Sequence, residues 1–222
     1  DMVLAFFSHH QLIHAYVDGK LIYQLDLSSD PLKITPGIVW NRIDIPRQFR
    51  GKRIEIHFYP VFSDFLGYQT GFQIGNRYDI LEKEFSARLI PLLFCLAIFT
   101  FGVTFIFRSF FFRRIIKDFR NIFYLGIFAT GVAIWSLTLT NLPQMLMNIA
   151  VLAYYVKYAG LLFLPYPLLL FAQESFTEGK NRMIQIALKI NLILIIGQSI
   201  FHIAKISNLR QMLPVTHLFY FF

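Results

Sequence analysis

The sequence predicts an α+β membrane protein, in which an antiparallel β-sandwich or jelly-roll portion (residues 1–85) precedes a transmembrane helix bundle (residues 86–222). One observation is a run of 19 uncharged, mostly apolar residues, Leu89–Phe107, which is long enough to cross a hydrocarbon core as a helix. Another is the alternation of apolar and polar residues before residue 78, which is typical of strands. The charge also divides: residues 1–85 carry nine Lys/Arg and ten Asp/Glu, and residues 86–222 carry twelve and three.

The β portion is predicted from turns and alternating runs. Asp18-Gly19 favours a type I′ hairpin, because both central residues of that turn need positive φ. The return strand is expected to place Leu21, Tyr23, Leu25 and Leu27 on one face and Ile22, Gln24 and Asp26 on the other. Further strands are expected over residues 37–45, 53–59 and 71–77, with Ile54, Ile56 and Phe58 inward in the second of these. Five or six short strands separated by turn signals indicate part of a sandwich or jelly roll.

About five membrane spans are predicted in the helical portion. The spans are expected over residues 89–107, 121–142, 146–173 and 184–204, followed by a fifth that is truncated at residue 222. The uncharged segment 141–144 is expected to be a short turn between the second and third spans. Because both ends of the sequence look cut, the chain is expected to be a piece of a longer protein.

The basic residues of the loops predict the orientation. The loops on one side collect seven Lys/Arg (108, 113, 114, 117, 120, 180 and 182), and the short loops on the other collect two (205 and 210). Basic loops stay in the cytoplasm, so residues 1–85 are expected to be extracytoplasmic. This distribution indicates that the positive charge contacts the lipid bilayer rather than nucleic acid.

The order of a β domain, a short helix and a run of apolar helices resembles the bacterial seven-transmembrane receptors with diverse intracellular signalling modules. The stretches that carry the resemblance are AYVDGKLIYQL, IDIPRQFRGKRIEIHFYP, LLFLPYPLLLFAQ and LPVTHLF. The resemblance implies a protein of the bacterial cell membrane whose extracytoplasmic jelly-roll domain senses a ligand. A carbohydrate is among the candidate ligands. It also implies a cytoplasmic output module, such as a diguanylate cyclase, but no GGDEF motif is present in these residues.

Three residues are predicted to bind a ligand: Trp40, Tyr59 and Lys157. Trp40 and Tyr59, together with Tyr23 and Tyr68, are candidates for an aromatic platform that holds a sugar or similar ligand. The alternative is that these side chains pack within strands, where aromatic residues are favoured in any case.

Lys157 falls within the third span, where an ionisable group is a functional candidate by default. The alternative is that Lys157 lies two turns inside the span and extends its amine to the interface, as is expected for Lys189. Pro165 and Pro167 in the same span are candidates for a hinge, and Pro91 permits a kink in the first span.

Other chemistry is not indicated. His10 and His14 would share a face of a strand, where two imidazoles could hold a metal, but zinc needs three or four ligands and no carboxylate or cysteine is adjacent. His9, His10 and His14 are therefore interpreted as surface residues, and neither a metal nor a cofactor is predicted. No catalytic motif is found, so the segment is not expected to be an enzyme. The single cysteine, Cys95, excludes a disulfide within the chain. Asp118, Glu174 and Glu178 are the acids after residue 85, and all are expected in cytoplasmic loops.

These observations favour a membrane sensor that transmits an extracytoplasmic signal inward. A homodimer is one of the possible assemblies of such a sensor. The alternative is a multi-span transporter or permease, which predicts acids within the spans and inverted repeats. A membrane enzyme ranks third.

Overall fold

A computed structural model describes the backbone of residues 2–115, 119–147, 149–176 and 181–221, with side chains up to residue 218. The predicted loop residues Lys117, Asp118, Glu178 and Lys180 lie outside the described residues. Contacts divide the chain into two compact units, Asp1–Ile90 with Thr140–Tyr154 and Pro91–Leu139 with Tyr155–Phe222.

Six strands form two antiparallel sheets in the first unit. Sheet A has the order β4 (Ile38–Ile45), β1 (Met2–His9) and β6 (Gln73–Asn76). Sheet B has the order β3 (Lys20–Leu25), β2 (Gln11–Val17) and β5 (Ile54–Pro60). The predicted antiparallel β portion is therefore confirmed as a small antiparallel sheet region.

A buried apolar cluster joins the inner faces of the two sheets. Sheet A contributes Leu4, Phe6 and Ile43, and sheet B contributes Ile13 and Ala15. The rings of Phe6 and Phe58 meet edge to face with their centroids 5.7 Å apart. Burial of these alternating side chains explains why the period-2 pattern of the sequence forms strands.

The hairpin forms at the predicted turn, but the face assignments of Leu21 and Ile22 are wrong. Asp18 and Gly19 have φ values of 50° and 77°, as a type I′ turn requires. Leu21 was expected on the same face as Tyr23, yet it is 44% exposed while Tyr23 packs on the core. A bulge in the β2–β3 register, at Ala15/Tyr16, pairs Tyr16 with Leu21 and Ala15 with Tyr23. The extra residue, Ile22, packs on the core beside Tyr23 and places Leu21 on the outer face.

Helical segments cover the outer face of sheet A. Ile80, near the start of α1 (Arg77–Phe111), lies over Gly75 of β6. The guanidinium of Arg88 lies 5.4 Å from the centroid of the Phe7 ring, and α3 (Leu142–Met147) contacts β4. Val3 and Ala5, whose side chains point outward from the core, are consequently buried.

Within the described residues, four helices are long and apolar enough to cross a membrane: Arg77–Phe111, Phe119–Leu139, Ala150–Phe176 and Arg182–Ile203. They correspond to the first four predicted spans. The predicted fifth span corresponds to α7 (Leu213–Phe221), which has nine residues. The segment 141–144 was expected to be a turn. Most of it instead belongs to the short helix α3, which begins at residue 142. Glu174 lies in the last part of the third apolar helix rather than in a loop, and it pairs with Arg120 at 3.6 Å.

The third apolar helix is interrupted immediately before Pro165, which was a candidate for a hinge. It consists of α4 (Ala150–Phe163) and α5 (Pro165–Phe176), with Leu164 between them. Pro165 has no N–H to donate to the preceding turn, which accounts for the interruption. Asn191 of α6 (Arg182–Ile203) donates its amide to the carbonyl oxygen of Leu162 at 3.1 Å, so a neighbouring helix satisfies a backbone acceptor beside the break.

Candidate functional site

Four ring side chains project from the solvent side of sheet B. His14 and Tyr16 lie on β2, and His57 and Tyr59 lie on β5. The ring centroids of His14 and Tyr59 are 5.2 Å apart, and those of Tyr16 and His57 are 5.1 Å apart. We call these four residues the His–Tyr face.

Strand pairing assembles the His–Tyr face. His14 lies directly opposite His57, and the inward neighbours Ile13 and Ala15 hold β2 on the core. Glu55 extends the face, with one carboxylate oxygen 3.2 Å from Arg53 Nε and the other 3.8 Å from His57 Nε2. Phenol and imidazole groups combine apolar ring faces with hydrogen-bonding groups, so this surface can contact a ring-shaped, hydroxylated molecule.

The predicted aromatic residues lie in different surroundings. Tyr59 belongs to the His–Tyr face and is 45% exposed. Trp40 lies on sheet A and is only 8% exposed, because its ring stacks on Phe7 and under the guanidinium of Arg42. Tyr68 is exposed with its ring edge against His9, with 4.9 Å between the centroids. Of these residues, the structure therefore brings only Tyr59 to the ring-rich face.

Tyr23 was also a candidate for the aromatic platform, but its hydroxyl lies between the sheets. It donates to Asn41 Oδ1 at 2.8 Å, and Asn41 also donates to Ser8 Oγ at 2.9 Å. Burial raises the pKa of the Tyr23 hydroxyl, against an opposing effect of Arg42, so the hydroxyl stays a donor at neutral pH. Tyr23 thus belongs to the polar connection between the two sheets.

Tyr23→Phe is expected to destabilise the fold by about 1–3 kcal/mol, because it leaves the fully buried Oδ1 of Asn41 without its donor. The measurement is chemical denaturation of the full chain in detergent, followed by Trp40 fluorescence in a Trp135→Phe background. The matched control is Tyr78→Phe, which removes the same hydroxyl from an exposed residue. Equal stabilities of the two variants would contradict the assigned role of Tyr23.

His10 is not the surface residue that was expected. It is 5% exposed, at a turn between β1 and β2 with φ 55°, and its Nδ1 lies 2.7 Å from Thr35 Oγ1. Its ring centroid lies 5.1 Å from that of Phe65 and 5.4 Å from that of Tyr154. The turn takes His10 off the strand face that it was expected to share with His14. Within the described part of the chain, no three His, Cys, Asp or Glu residues could hold a metal ion.

His10 belongs to a buried junction built on the loop 28–37. The Asp30 carboxylate accepts the backbone N–H groups of Leu32, Ile34 and Thr35 at 2.8–3.0 Å. At the end of the loop, a Cβ added to Gly37 would lie 2.7 Å from the carbonyl oxygen of Ala150. The loop therefore packs closely on the first residue of α4.

Lys157 lies two turns after the start of α4. The indole N–H of Trp135 donates to the carbonyl oxygen of Lys157 at 3.0 Å, and the Lys157 side chain is half-buried. The next residue, Tyr158, packs against the buried cluster of Leu162, Leu209 and Met212. Leu209 and Met212 belong to the segment that follows α6, and sequence reasoning did not anticipate this contact.

His14, Tyr16 and His57 were not predicted as site residues. Alternation in the sequence could show that these side chains point outward. It could not show that they lie together, because that depends on the register between β2 and β5. No protein-family model matches the chain, and neither the curated proteins nor the solved structures include a significant match.

Proposed function

We propose that the chain is the sensor portion of a bacterial multi-pass membrane receptor. In this proposal the β domain is an extracytoplasmic jelly roll, the His–Tyr face binds a carbohydrate, and the helices transmit the bound state to a cytoplasmic output module, most simply a diguanylate cyclase. The segment itself carries no catalysis.

The observation that carries the proposal is the continuity of α1. This helix runs without interruption from Arg77 to Phe111, so residues that pack on sheet A and residues of the first apolar span belong to one element. The side chain of Gln73 on β6 donates to Glu84 of α1 at 2.5 Å, and Glu84 pairs in turn with Arg88. In the proposed receptor, a change in sheet A acts on a membrane helix through these contacts.

The junction at the loop 28–37 supports transmission through a second helix. Gly37, which is bonded to the backbone of His10, contacts Ala150 at the start of α4. A movement of the loop would thus reach α4, just as a movement of β6 would reach α1. Receptors need such contacts, because a ligand shifts an equilibrium only by interacting differently with two states.

The ligand part of the proposal is tested with the purified full chain in nanodiscs on an array of immobilised glycans. Binding of at least one glycan is expected, and replacing both Tyr16 and Tyr59 by alanine should weaken it about tenfold or more, since aromatic anchors carry much of a binding energy. Tyr68→Ala is the matched control and should bind normally. A chain that binds no glycan, or a double variant that binds equally well, would exclude the carbohydrate.

The transmission part is tested with a glycan identified on that array. Its addition should slow hydrogen exchange of backbone amides in residues 30–37 and 150–154, because ligand binding raises the free energy of local opening. Binding without any change in these segments would remove the basis for transmission through α4.

The orientation part is tested by cysteine labelling of intact cells after replacement of Cys95. Ser63→Cys should react with an impermeant maleimide and Ser175→Cys should not, because basic residues concentrate in the loops on the side of Ser175. Both serines are exposed. The reverse labelling pattern would contradict the proposed orientation and, with it, the proposed receptor function.

A further inference from the structure

The end of the two sheets that holds the turn between β1 and β2 adjoins two of the long apolar helices. The guanidinium of Arg88 lies over the ring of Phe7 there, and the uncharged run 89–107 of α1 begins at the next residue. The rings of His10, in the turn, and Tyr154, on the second turn of α4, have centroids 5.4 Å apart. All of these contacts lie within the first compact unit. Because the apolar parts of both helices begin at this level, this end of the sheets is the one nearest to the bilayer.

The segment 61–68 packs on the same end of the sheets. The side chain of Gln11 donates to the carbonyl oxygens of Phe65 and Tyr68, at 3.3 and 2.8 Å. The His10 ring that contacts α4 also has its centroid 5.1 Å from that of Phe65. The segment is therefore fixed beside the first turns of α4.

A type II turn over residues 65–68 forms the tip of this segment. Leu66 has φ −60° and ψ 122°, and Gly67 has φ 74°, which glycine tolerates. The amide of Tyr68 closes the turn by donating to the carbonyl oxygen of Phe65 at 3.1 Å. Leu66 is 79% exposed, and the ring of Tyr68 is exposed beside it. The tip thus presents an apolar side chain and a tyrosine away from the protein.

The two ends of the sheets differ in charge. Residues 61–72 contain a single charged residue, Asp64. At the far end of β2, the turn 46–53 carries four Lys/Arg residues, and Lys52 pairs with Asp18 of the hairpin at 2.8 Å. An apolar tip is stabilised where it leaves water, and exposed apolar groups mark membrane or protein contacts. The apolar end is the one beside the membrane helices, which favours lipid as the partner.

We propose that the turn 65–68 inserts into the surface of the lipid bilayer, with Leu66 at the boundary between headgroups and acyl chains and Tyr68 among the headgroups. Tyrosine is enriched at that depth because its ring is apolar and its hydroxyl is polar. Asp64 and its neighbour Ser63 stay in water, because insertion of a charge is costly. The inference rests on the apolar helices and not on the proposed sensor function, and it holds for either orientation of the chain.

The test is electron paramagnetic resonance of the full chain in nanodiscs, with a nitroxide attached to Leu66→Cys after replacement of Cys95 by alanine. Molecular oxygen dissolves in the bilayer and nickel ethylenediaminediacetate stays in water, so these two relaxation agents distinguish lipid from water. The label at residue 66 should collide more often with oxygen than with the nickel complex. Gln48→Cys, in the exposed turn 46–53, is the matched control and should show the reverse.

Two results would overturn the insertion. A label at residue 66 that collides mainly with the nickel complex would place the turn in water. A label shielded from both agents would mean that protein covers the turn, and spin–spin broadening would then identify that protein as a second copy of the chain.

Hydrogen exchange of the unlabelled chain in nanodiscs tests the native leucine. Leu66→Gln should accelerate exchange of the Tyr68 amide about tenfold or more, because a leucine side chain removed from water stabilises the closed turn by at least that factor. Leu21→Gln changes an exposed leucine on β3 and should leave this amide unaffected. Equal exchange of the Tyr68 amide in Leu66→Gln and in the native chain would mean that Leu66 is not inserted.

Discussion

Replacing Gly102 by valine is expected to destabilise the helical unit by about 3 kcal/mol or more, which is the upper part of the range for overpacking. Gly102 of α1 lies directly against α2 (Phe119–Leu139). A Cβ at Gly102 would lie 2.6 Å from the backbone nitrogen of Thr130 and 2.9 Å from the carbonyl oxygen of Gly126. These are backbone atoms, so no side chain can rotate to make room.

The contact is reciprocal, which strengthens the expectation. A Cβ at Gly126 would lie 2.9 Å from the carbonyl oxygen of Gly102 and 2.9 Å from the backbone nitrogen of Ile106. Two glycines thus let two helix backbones approach closely, as small residues do in membrane helix pairs. A larger side chain at either position must separate the helices.

The matched control for Gly102→Val is Gly197→Val. Gly197 lies in α6, which is also a long apolar helix, and a Cβ there would meet no atom within 4 Å. Both variants carry the same change in helix propensity, so their difference measures the contact between α1 and α2. Titration of the full chain with sodium dodecyl sulfate, followed by far-ultraviolet circular dichroism, gives the two midpoints. Coincident midpoints would mean that the α1–α2 contact contributes nothing to stability.

Features that depend on local sequence could be predicted. The turn at Asp18-Gly19 forms because its residues tolerate positive φ, and the apolar runs form helices because of their length and composition. The outward position of Tyr59 follows from alternation within one strand. The interruption before Pro165 follows from the chemistry of proline itself.

Features that depend on distant partners could not be predicted. Leu21 is exposed because of a bulge that arises only when β2 and β3 pair. Trp40 is buried because its ring stacks on Phe7 of the neighbouring strand β1 and under Arg42, and alternation within β4 gives no sign of the partner on β1. Tyr158 contacts Leu209 and Met212 through packing between segments about fifty residues apart, so no local pattern could indicate this contact.

Gly37→Ala is expected to detach the loop 28–37 from α4. Gly37 has φ 79°, which costs an alanine about 1–2 kcal/mol, and the added Cβ would lie 2.7 Å from the carbonyl oxygen of Ala150. The second effect adds about 1–3 kcal/mol, because backbone must move on both sides of the contact. In the proposed receptor, this variant would retain ligand binding but lose transmission through α4.

Gly19→Ala is the control that measures the cost of positive φ without the steric contact. Gly19 has φ 77°, and a Cβ there would meet no atom within 4 Å. Hydrogen exchange of the full chain in nanodiscs is the measurement. Gly37→Ala should accelerate exchange of the amides of Ile34 and Thr35, which bond to Asp30, and of Ala153 at the start of α4. Gly19→Ala should accelerate exchange in the β2–β3 hairpin alone. If both variants leave residues 30–37 and 150–154 unchanged, the loop does not hold α4, and only α1 remains to connect the β domain with the membrane helices.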